Sequence, residues 1–553
     1  MIIERVRVTL FQKFSRLSNA TLFLTSFGLI AFGYIWIFMF SDGGTAFNIY
    51  RILFLPLLFA SLAWLWSGRW TFDDSPHYAH HFKIAVWALF VAYVITLTYL
   101  QFQKLYSYNY DFFDAGIYYN RIWKISNLAP LQAVETALTE GHFQPVNLLF
   151  AFWGTSGFAP ELAFFTETIL LASGIFALRR LALRLTGNHF ISFLIALSYI
   201  SNPLLHFNDI LGYHPDHIVL PCLLWGFAFL EDGKIRRAGV CFFLILASSE
   251  PWMPLGFALG LALCLEPVTR RLGILLSVSS ASLFALVFFF LLPEFGSINA
   301  ASNVITSTGP YSILVNPDAD AFRLLISDPG KLFFIFFAFL PFLFSTFFGF
   351  RALLILGPDL AKILLSTEPL HYAVEGHYTL SIVAVGYWWF CKMIGKWRLV
   401  SRKAAGRTAL VSAALSISLG VGHGCLPHSY NFWGTISGGA FHFTNYLKTQ
   451  KYQDLLLVER NLVDDRTISV EISNGAFTPE IGRRFEFRHF PSNNPTPSSV
   501  VLIDRKFLYR AGYARNDDEF KARIENRLSD MQQCYRIIRM ETMTAYVLRA
   551  ECA

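Results

Sequence analysis

Long apolar segments, separated by short polar ones, run through the first 440 residues of the chain. We predict thirteen candidate membrane spans, at residues 20–41, 50–66, 82–102, 160–178, 189–206, 217–231, 237–250, 252–267, 271–293, 332–350, 351–366, 378–395 and 408–425. A spanning helix needs about 20 apolar residues, and several of these segments are shorter. Some pairs of adjacent segments, such as 237–250 and 252–267, are therefore candidates for a single span. The pattern therefore predicts an all-α polytopic membrane domain, residues 1–440, with about 11–13 transmembrane helices.

The pattern changes after residue 440. The last 113 residues, from Phe441 onward, carry 32 charged side chains, whereas the preceding 440 residues carry 51. Segments rich in β-branched and aromatic residues, which are typical of strands, alternate there with charges at helical spacing. We predict helices at 445–461 and 517–531 and strands at 467–472, 484–490, 499–503, 535–538 and 545–548. Residues 441–553 are therefore predicted to form a small soluble α/β domain.

The distribution of basic residues predicts the orientation of the spans. With the N-terminus inside and the spans alternating, the inner loops carry 21 Arg and Lys residues, and the outer loops before the C-terminal domain carry six. Cytoplasmic loops of membrane proteins are enriched in these residues. We therefore predict a multi-pass protein of the cytoplasmic (inner) membrane whose C-terminal domain is extracytoplasmic.

Three further features refine this picture. The net charge of +7 lies mostly in the short loops, so it does not indicate a nucleic-acid partner. The segment 20–41 is longer than the apolar core of a signal peptide, so we interpret it as a retained first helix. The seven cysteines show no metal or redox spacing, but Cys425, Cys534 and Cys552 lie on the predicted outer side, where one disulfide can form.

The largest outer loop, residues 103–160, contains helix-like segments at 117–125 and 131–138 and the first candidate site. Asp111 and Asp114 are three residues apart, which places both carboxylates on one face if the stretch is helical. Paired carboxylates can hold a divalent cation, or one can act as a base with a raised pKa. The alternative is structural, because Asp is a preferred residue at a helix N-cap.

Other ionisable residues lie next to apolar segments on the predicted outer side. The segment from His206 to His217 is dense in His and Asp. It is either a substrate or metal site or simply a polar, solvated loop. The candidates are His142; the group His206, Asp209, His214, Asp216 and His217; Glu250, between two spans; and the group His371, Glu375 and His377. Ionisable groups near the hydrocarbon are costly, so they often mark functional sites. The group from His206 to His217 has no recognised zinc spacing.

Four motifs in order resemble the domain-of-unknown-function 2079 family of bacterial and archaeal membrane proteins. They are Asp114-Ala115-Gly116-Ile117-Tyr118-Tyr119-Asn120-Arg121-Ile122-Trp123, then His142-Phe143-x-Pro145, then Tyr213-His214-Pro215, and then Glu250. The resemblance covers the chain from about residue 100 to its end. Two positions depart from the family pattern: Ser249 stands where a Lys often precedes the acid, and Asn120 stands where Gln is expected.

That family is grouped with the C-type glycosyltransferases, which take sugars from polyprenyl-phosphate carriers on the outer face of the membrane. The resemblance implies that Asp114 is the catalytic acid or base, with Asp111 as second candidate. It implies phosphate or substrate contacts for Arg121, Lys124, His142, His214 and Asp216, a sugar contact for Glu250, a substrate contact for His377, and packing of Tyr118, Tyr119 and Trp123 on the lipid or sugar. The implied partners are a polyprenyl-phosphate-linked sugar, the bilayer and an acceptor that the sequence does not identify.

Two other functions fit the same chain. A transporter or flippase of an envelope precursor explains the many helices and polar breaks, although transporters tend to bind substrate near the bilayer midplane. A non-enzymatic envelope protein would use the C-terminal domain for binding and would not need the acids. We favour an enzyme because the acids and His residues collect at one predicted face of the membrane.

Overall fold

The chain folds into a body of packed helices and a small C-terminal sheet. The structure is a computed structural model that describes residues 56–65, 67–69, 76–109, 113–139, 142–156, 159–291, 328–433, 441–461, 469–472, 486–489, 498–504 and 518–549. The helices of the body are α1 (Pro56–Leu65), α2 (Pro76–Tyr106), α3 (Phe113–Asn127), α4 (Pro130–Thr139), α5 (Asn147–Gly154), α6 (Ala159–Thr186), α7 (His189–Ile200), α8 (Pro203–Ile210), α9 (Val219–Glu231), α10 (Ile235–Ile245), α11 (Met253–Cys264), α12 (Arg270–Leu286), α13 (Pro329–Phe339), α14 (Phe350–Leu365), α15 (Leu380–Val400), α16 (Arg402–His423) and α17 (Tyr430–Trp433).

Each predicted span from 82–102 onward coincides with a helix or a pair of helices. Four helices in the described residues are long and apolar enough to cross a membrane: Tyr78–Tyr106, Pro160–Thr186, Arg270–Leu291 and Arg402–His423. The pair α7 and α8 forms a fifth candidate, bent by 44°. The other helices at predicted span positions are shorter or more polar. The predicted span 20–41 lies outside the described residues, and the number of 11–13 spans stays a prediction.

The bend between α7 and α8 follows from the sequence Asn202-Pro203. A residue before proline is driven into an extended conformation, and Asn202 has φ −73° and ψ 120°. Its side chain accepts a hydrogen bond from the Leu204 N–H at 3.0 Å, which caps the new helix. The chain therefore changes direction inside the body without leaving the first amide of α8 unpaired.

Small residues bring the helices close together. A Cβ atom on Gly260 in α11 would lie 2.3 Å from the Ser277 Oγ of α12, and one on Gly273 would lie 2.6 Å from the Gly260 carbonyl oxygen. Such contacts are typical of helix packing in membranes, where small residues permit backbones to approach. A larger side chain at either glycine would force α11 and α12 apart.

The C-terminal domain is a five-stranded sheet between two helices. Its elements are α18 (Gln450–Asn461), β1 (Ser469–Ile472), β2 (Glu486–His489), β3 (Val500–Asp504), α19 (Asp518–Cys534), β4 (Tyr535–Arg539) and β5 (Met543–Leu548). The strand order is β2-β1-β3-β5-β4. Strand β1 is parallel to β2 and β3, and β5 is antiparallel to β3 and β4. The predicted small α/β domain is confirmed, although its proposed boundary at residue 440 falls in 434–440, outside the described residues.

Alternation along β3 gives the sheet two apolar faces. Val500 and Leu502 pack with Leu455 of α18, whereas Val501 and Ile503 pack with Met531 of α19. Strand side chains point to opposite faces in turn, so one strand supports both layers.

The sheet is attached to the end of α2. Tyr108 belongs to the same buried cluster as Leu455. The Ser107 hydroxyl donates to the Asn445 carbonyl at 3.0 Å, and the Asn109 amide donates to the Leu447 carbonyl at 2.9 Å. The C-terminal domain therefore lies at the end of the bundle where α2 finishes, which we call the site end.

Of the three cysteines predicted on the outer side, one is in a disulfide and one is not. Cys534 is disulfide-bonded. Cys425 is a free thiol buried in the helical body, so it is not part of this disulfide.

Candidate functional site

Ionisable side chains from separate loops meet at the site end of the bundle. His142 precedes α5, His214 and Asp216 precede α9, Glu250 precedes α11, and Lys362 lies in the last turn of α14. We call these five residues the acid–base cluster. The breaks between helices place each of them where a span ends, so polar groups can gather without entering the apolar core.

Glu250 uses both carboxylate oxygens to hold the loop that contains His142. Its Oε1 lies 2.6 Å from the His142 Nδ1, and its Oε2 accepts the Phe143 N–H at 3.0 Å. The Glu250 side chain is 10% exposed and the His142 side chain 45% exposed. The cluster is therefore reached from outside through His142.

Asp216 is the second carboxylate of the cluster. It accepts a hydrogen bond of 2.6 Å from the Ser249 hydroxyl, and its own N–H donates to the His214 Nδ1 at 3.2 Å. Ser249, which replaces the lysine expected from the family pattern, thus links Asp216 to the loop of Glu250. The neutral ring of His214 carries its proton on Nε2, because Nδ1 is an acceptor.

A buried pair lies beneath this layer. The Glu167 carboxylate of α6 contacts the His217 Nδ1 and accepts the His214 N–H at 3.1 Å. Both side chains are buried. Glu167 therefore fixes the turn that presents His214 and Asp216.

Helix α3 closes one side of the cluster. The Arg121 guanidinium donates to the Gln144 Oε1 beside His142. The Tyr118 ring stands edge-on to the His214 ring, with centroids 4.4 Å apart. Helix α3 therefore contacts the His142 and His214 loops, whereas Trp123 on the same helix is half-buried. The substrate contacts predicted for these residues stay predictions.

Lys362 supplies a cation that we did not predict. Its Nζ lies 4.5 Å from the centre of the Tyr378 ring and 6.0 Å from that of Trp252. It is within electrostatic range of Asp216 and Glu250. Among the described residues, no carboxylate is within ion-pair distance of its amine.

Electrostatics give the histidines of this region different charge states. Burial lowers the pKa of His142, but the hydrogen bond to Glu250 and the charge of Glu250 outweigh burial and raise it. Burial and the nearby positive charges hold the pKa of His214 well below its ordinary value. Burial and the charge of Lys362 lower the pKa of His371 to about 4. At neutral pH, His142 is thus the histidine best suited to carry charge, and His214 is neutral.

Three predicted residues cannot be placed at the cluster. Asp111 lies outside the described residues. Asp114 falls in the first turn of α3, one turn before Tyr118, and His377 begins a short turn before α15, but neither side chain is among those described. Where the chain is described, no three His, Cys, Asp or Glu side chains are arranged to hold a metal ion. A cation held by Asp111 and Asp114 stays a prediction.

The dense group of His and Asp residues divides into two parts. His214, Asp216 and His217 lie at the cluster, whereas His206 and Asp209 lie in α8, inside the body. Asp209 accepts hydrogen bonds of 2.7 Å from Gln101 and from Thr168. The sequence spacing treated these five residues as one group, but the loop after α8 separates them.

Two central residues were missed because they lie inside predicted spans. Glu167 falls in 160–178 and Lys362 in 351–366. A charged side chain within an apolar segment is itself a signal, since such residues usually face the bundle interior or a polar cavity. That signal would have found both.

The sequence profile of one family, described as predicted membrane protein (DUF2079), matches residues 104–455, which is more than half of the chain. The chain belongs to this family. The matched residues include the whole acid–base cluster and the start of the C-terminal domain. With several apolar helices, membership identifies a multi-pass membrane protein. No curated protein matches the chain.

Proposed function

We propose that this protein transfers a sugar from a polyprenyl-phosphate carrier to an acceptor at the outer face of the cytoplasmic membrane. The observation that carries the proposal is the acid–base cluster: carboxylates, a lysine and a charged histidine, drawn from four loops and helix ends, meet at one end of an apolar bundle. A lipid-linked substrate needs this arrangement, because its chain stays in the bilayer while its reacting phosphate lies at the surface.

The proposed reaction needs one base and a binding site for an anion. The acceptor oxygen attacks the anomeric carbon of the donor sugar, and the bond from that carbon to the phosphate oxygen breaks. The bonding pair leaves with the phosphate, which needs no proton. The hydroxyl proton passes to a carboxylate, as in other glycosyl transfers. Asp114, at the start of α3, is our choice for this base, with Asp111 as the alternative.

The cluster provides groups for the remaining tasks. No described carboxylate forms an ion pair with the Lys362 ammonium, so Lys362 is our first choice for binding the donor phosphate. Arg121 and charged His142 can also donate hydrogen bonds to that phosphate. Glu250 and Asp216 have acceptor capacity for sugar hydroxyls. Tyr378, which is half-buried with its ring centre 4.5 Å from the Lys362 Nζ, can offer aromatic surface to a sugar or an isoprenoid chain.

Two observations support the proposed orientation. The end opposite the cluster is rich in Arg and Lys, in agreement with the count of 21 against six. Cys534, in the C-terminal domain, is disulfide-bonded, and disulfides persist in oxidising compartments. Both favour an extracytoplasmic site end.

Transport of a lipid-linked precursor is the second candidate. The bent pair α7 and α8, with Asp209 hydrogen-bonded by Gln101 and Thr168 inside the body, is the feature that favours it. Discontinuous helices with buried polar groups are typical of transporters. The two functions differ in which residues they require.

The decisive experiment compares Asp114→Asn, Lys362→Met and Asp209→Asn with a deletion strain in the native host. Mass spectrometry would measure surface glycans and lipid-linked sugars, and immunoblots would check protein amounts. Transfer predicts that a glycan disappears and a lipid-linked sugar accumulates in the first two variants. If only Asp209→Asn reproduces the deletion, transport replaces transfer. If all three behave as wild type at normal abundance while the deletion has a phenotype, both functions are excluded.

A further inference from the structure

The end opposite the acid–base cluster contains two neighbouring cavities, of about 260 and 460 Å³. Both are lined by Glu266, Arg351 and Lys392. The smaller one lies between α9, α11 and α15. The larger one, which we call the basic groove, is lined by Arg351, Lys392, Lys396, Phe348, Phe350 and Trp389.

We propose that the basic groove binds the phosphate headgroup of an anionic phospholipid. This inference does not depend on the proposed transfer reaction, because it concerns the other end of the bundle. Basic pockets between transmembrane helices are a recurring form of lipid headgroup site.

The charges of the groove suit a phosphate. Arg351 pairs with Glu266, and Lys392 lies 2.6 Å from the Glu231 Oε1, so these two cations are balanced. Lys396 is exposed and adds the unbalanced positive charge. A guanidinium has five donors and an ammonium three, so the paired cations retain donors for phosphate oxygens.

The apolar wall of the groove suits an acyl chain. Phe348 is 65% exposed and Phe350 72% exposed, which is costly in water and favourable in lipid. The turn Ser345–Phe348 ends at one of these rings, and helix α14 begins at the other. A Cβ atom on Gly349 would lie 2.1 Å from the Trp389 ring, so glycine lets the chain pass directly over that indole. Charge and apolar surface therefore meet along one groove, as they do in a phospholipid.

Native mass spectrometry of the full chain in detergent tests the proposal. Phosphatidylglycerol and phosphatidylcholine with identical acyl chains would be titrated separately, with inorganic phosphate as a competitor. We expect phosphatidylglycerol to be retained preferentially. The Lys396→Gln variant should weaken that retention about five-fold, the contribution of one surface cation, and Arg351→Gln should weaken it further. Arg236→Gln, an exposed cation of the same end outside both cavities, is the matched control.

Three results would overturn the proposal. Equal retention of the two lipids would mean that the groove does not recognise the anionic headgroup. Displacement of the lipid by inorganic phosphate at similar concentration would mean that the acyl chain contributes nothing. An equal effect of Arg236→Gln and Lys396→Gln would mean that only overall charge matters. Lys396 is exposed, so its variant tests the site even if Arg351→Gln fails to fold.

Discussion

Helix α14 carries a cation near each of its ends, and the two are held differently. Arg351, in the first turn, pairs with Glu266. Lys362, eleven residues later and about 16 Å along the axis, lies over the rings of Tyr378 and Trp252.

Two further cations opposite the cluster are held in the same way as Arg351. Lys392 pairs with Glu231 and Arg180 pairs with Asp232, so both are neutralised by acids. At the site end, three carboxylates lie within electrostatic range of Lys362, and none of them forms an ion pair with it in the described residues. Closed pairs stabilise a structure, whereas an amine held beside carboxylates without pairing is ready for a ligand. The variants below test this contrast, beginning with the largest expected effect.

The largest effect should come from the buried layer of the site end. Glu167→Gln replaces one of the two carboxylate oxygens that contact the His217 Nδ1 and accept the His214 N–H. Leaving a buried polar group without its partner costs about 1–3 kcal/mol, and two groups depend on Glu167. Thermal unfolding of the purified protein in detergent should show a clear loss of stability. An unchanged midpoint would mean that the pair is not part of the folded framework.

Lys362→Met and Lys392→Met form the central comparison, because each removes one ammonium and keeps a long side chain. A hydrogen bond to a charged group contributes about 1.5–3 kcal/mol. Loss of Lys362 should therefore weaken binding of a short polyprenyl phosphate about 10- to 100-fold, with little change in unfolding. Loss of Lys392 should lower stability and leave binding unchanged. Titration of both purified variants measures this, and equal effects on binding would remove the distinction between the two ends.

The pair of His142 and Glu250 should give the site end a pH dependence. The folded-state pKa of His142 is raised above its ordinary value of 6.5. Its stabilising contribution is therefore complete below pH 6.5 and is lost as the pH rises through the raised value. The stability difference between wild type and His142→Gln should be largest below pH 6.5 and shrink above it. A difference independent of pH would contradict a charged pair.

The smallest effect should come from an exposed pair of the opposite end. The Arg180 side chain is 39% exposed and pairs with Asp232. Surface pairs contribute about 0–1 kcal/mol, so Arg180→Met should move the unfolding midpoint little. A shift of the unfolding midpoint as large as that of Glu167→Gln would show that this exposed ion pair contributes more to stability than surface pairs usually do.

Much of the fold was predictable because local patterns determine it. Strands β1 to β5 follow β-branched and aromatic runs, and the helices follow apolar segments. The site was predictable in part: His142, His214, Asp216 and Glu250 stand where apolar segments end, which is visible in the chain. Which of them meet is not visible, since His142 and Glu250 are 108 residues apart.

Residues that are close in the sequence can also belong to different sites. Asp209 and Asp216 are close in sequence but belong to separate networks, because the chain leaves α8 between them. Lys362 was hidden because apolar residues surround it in the sequence, although polar groups surround it in the fold. Tertiary contacts, rather than local pattern, decide which ionisable residues form a site.

The attachment of the sheet to α2 has a consequence for the making of the protein. Tyr108 is synthesised long before its partners Leu455, Val500 and Met543. Its ring therefore has no permanent cover until these later segments have been made. A chain cut short before β5 would display it at the membrane surface, where proteases and chaperones recognise unfinished proteins. The small domain thus covers the end of α2 only after the helical body that precedes it has been made.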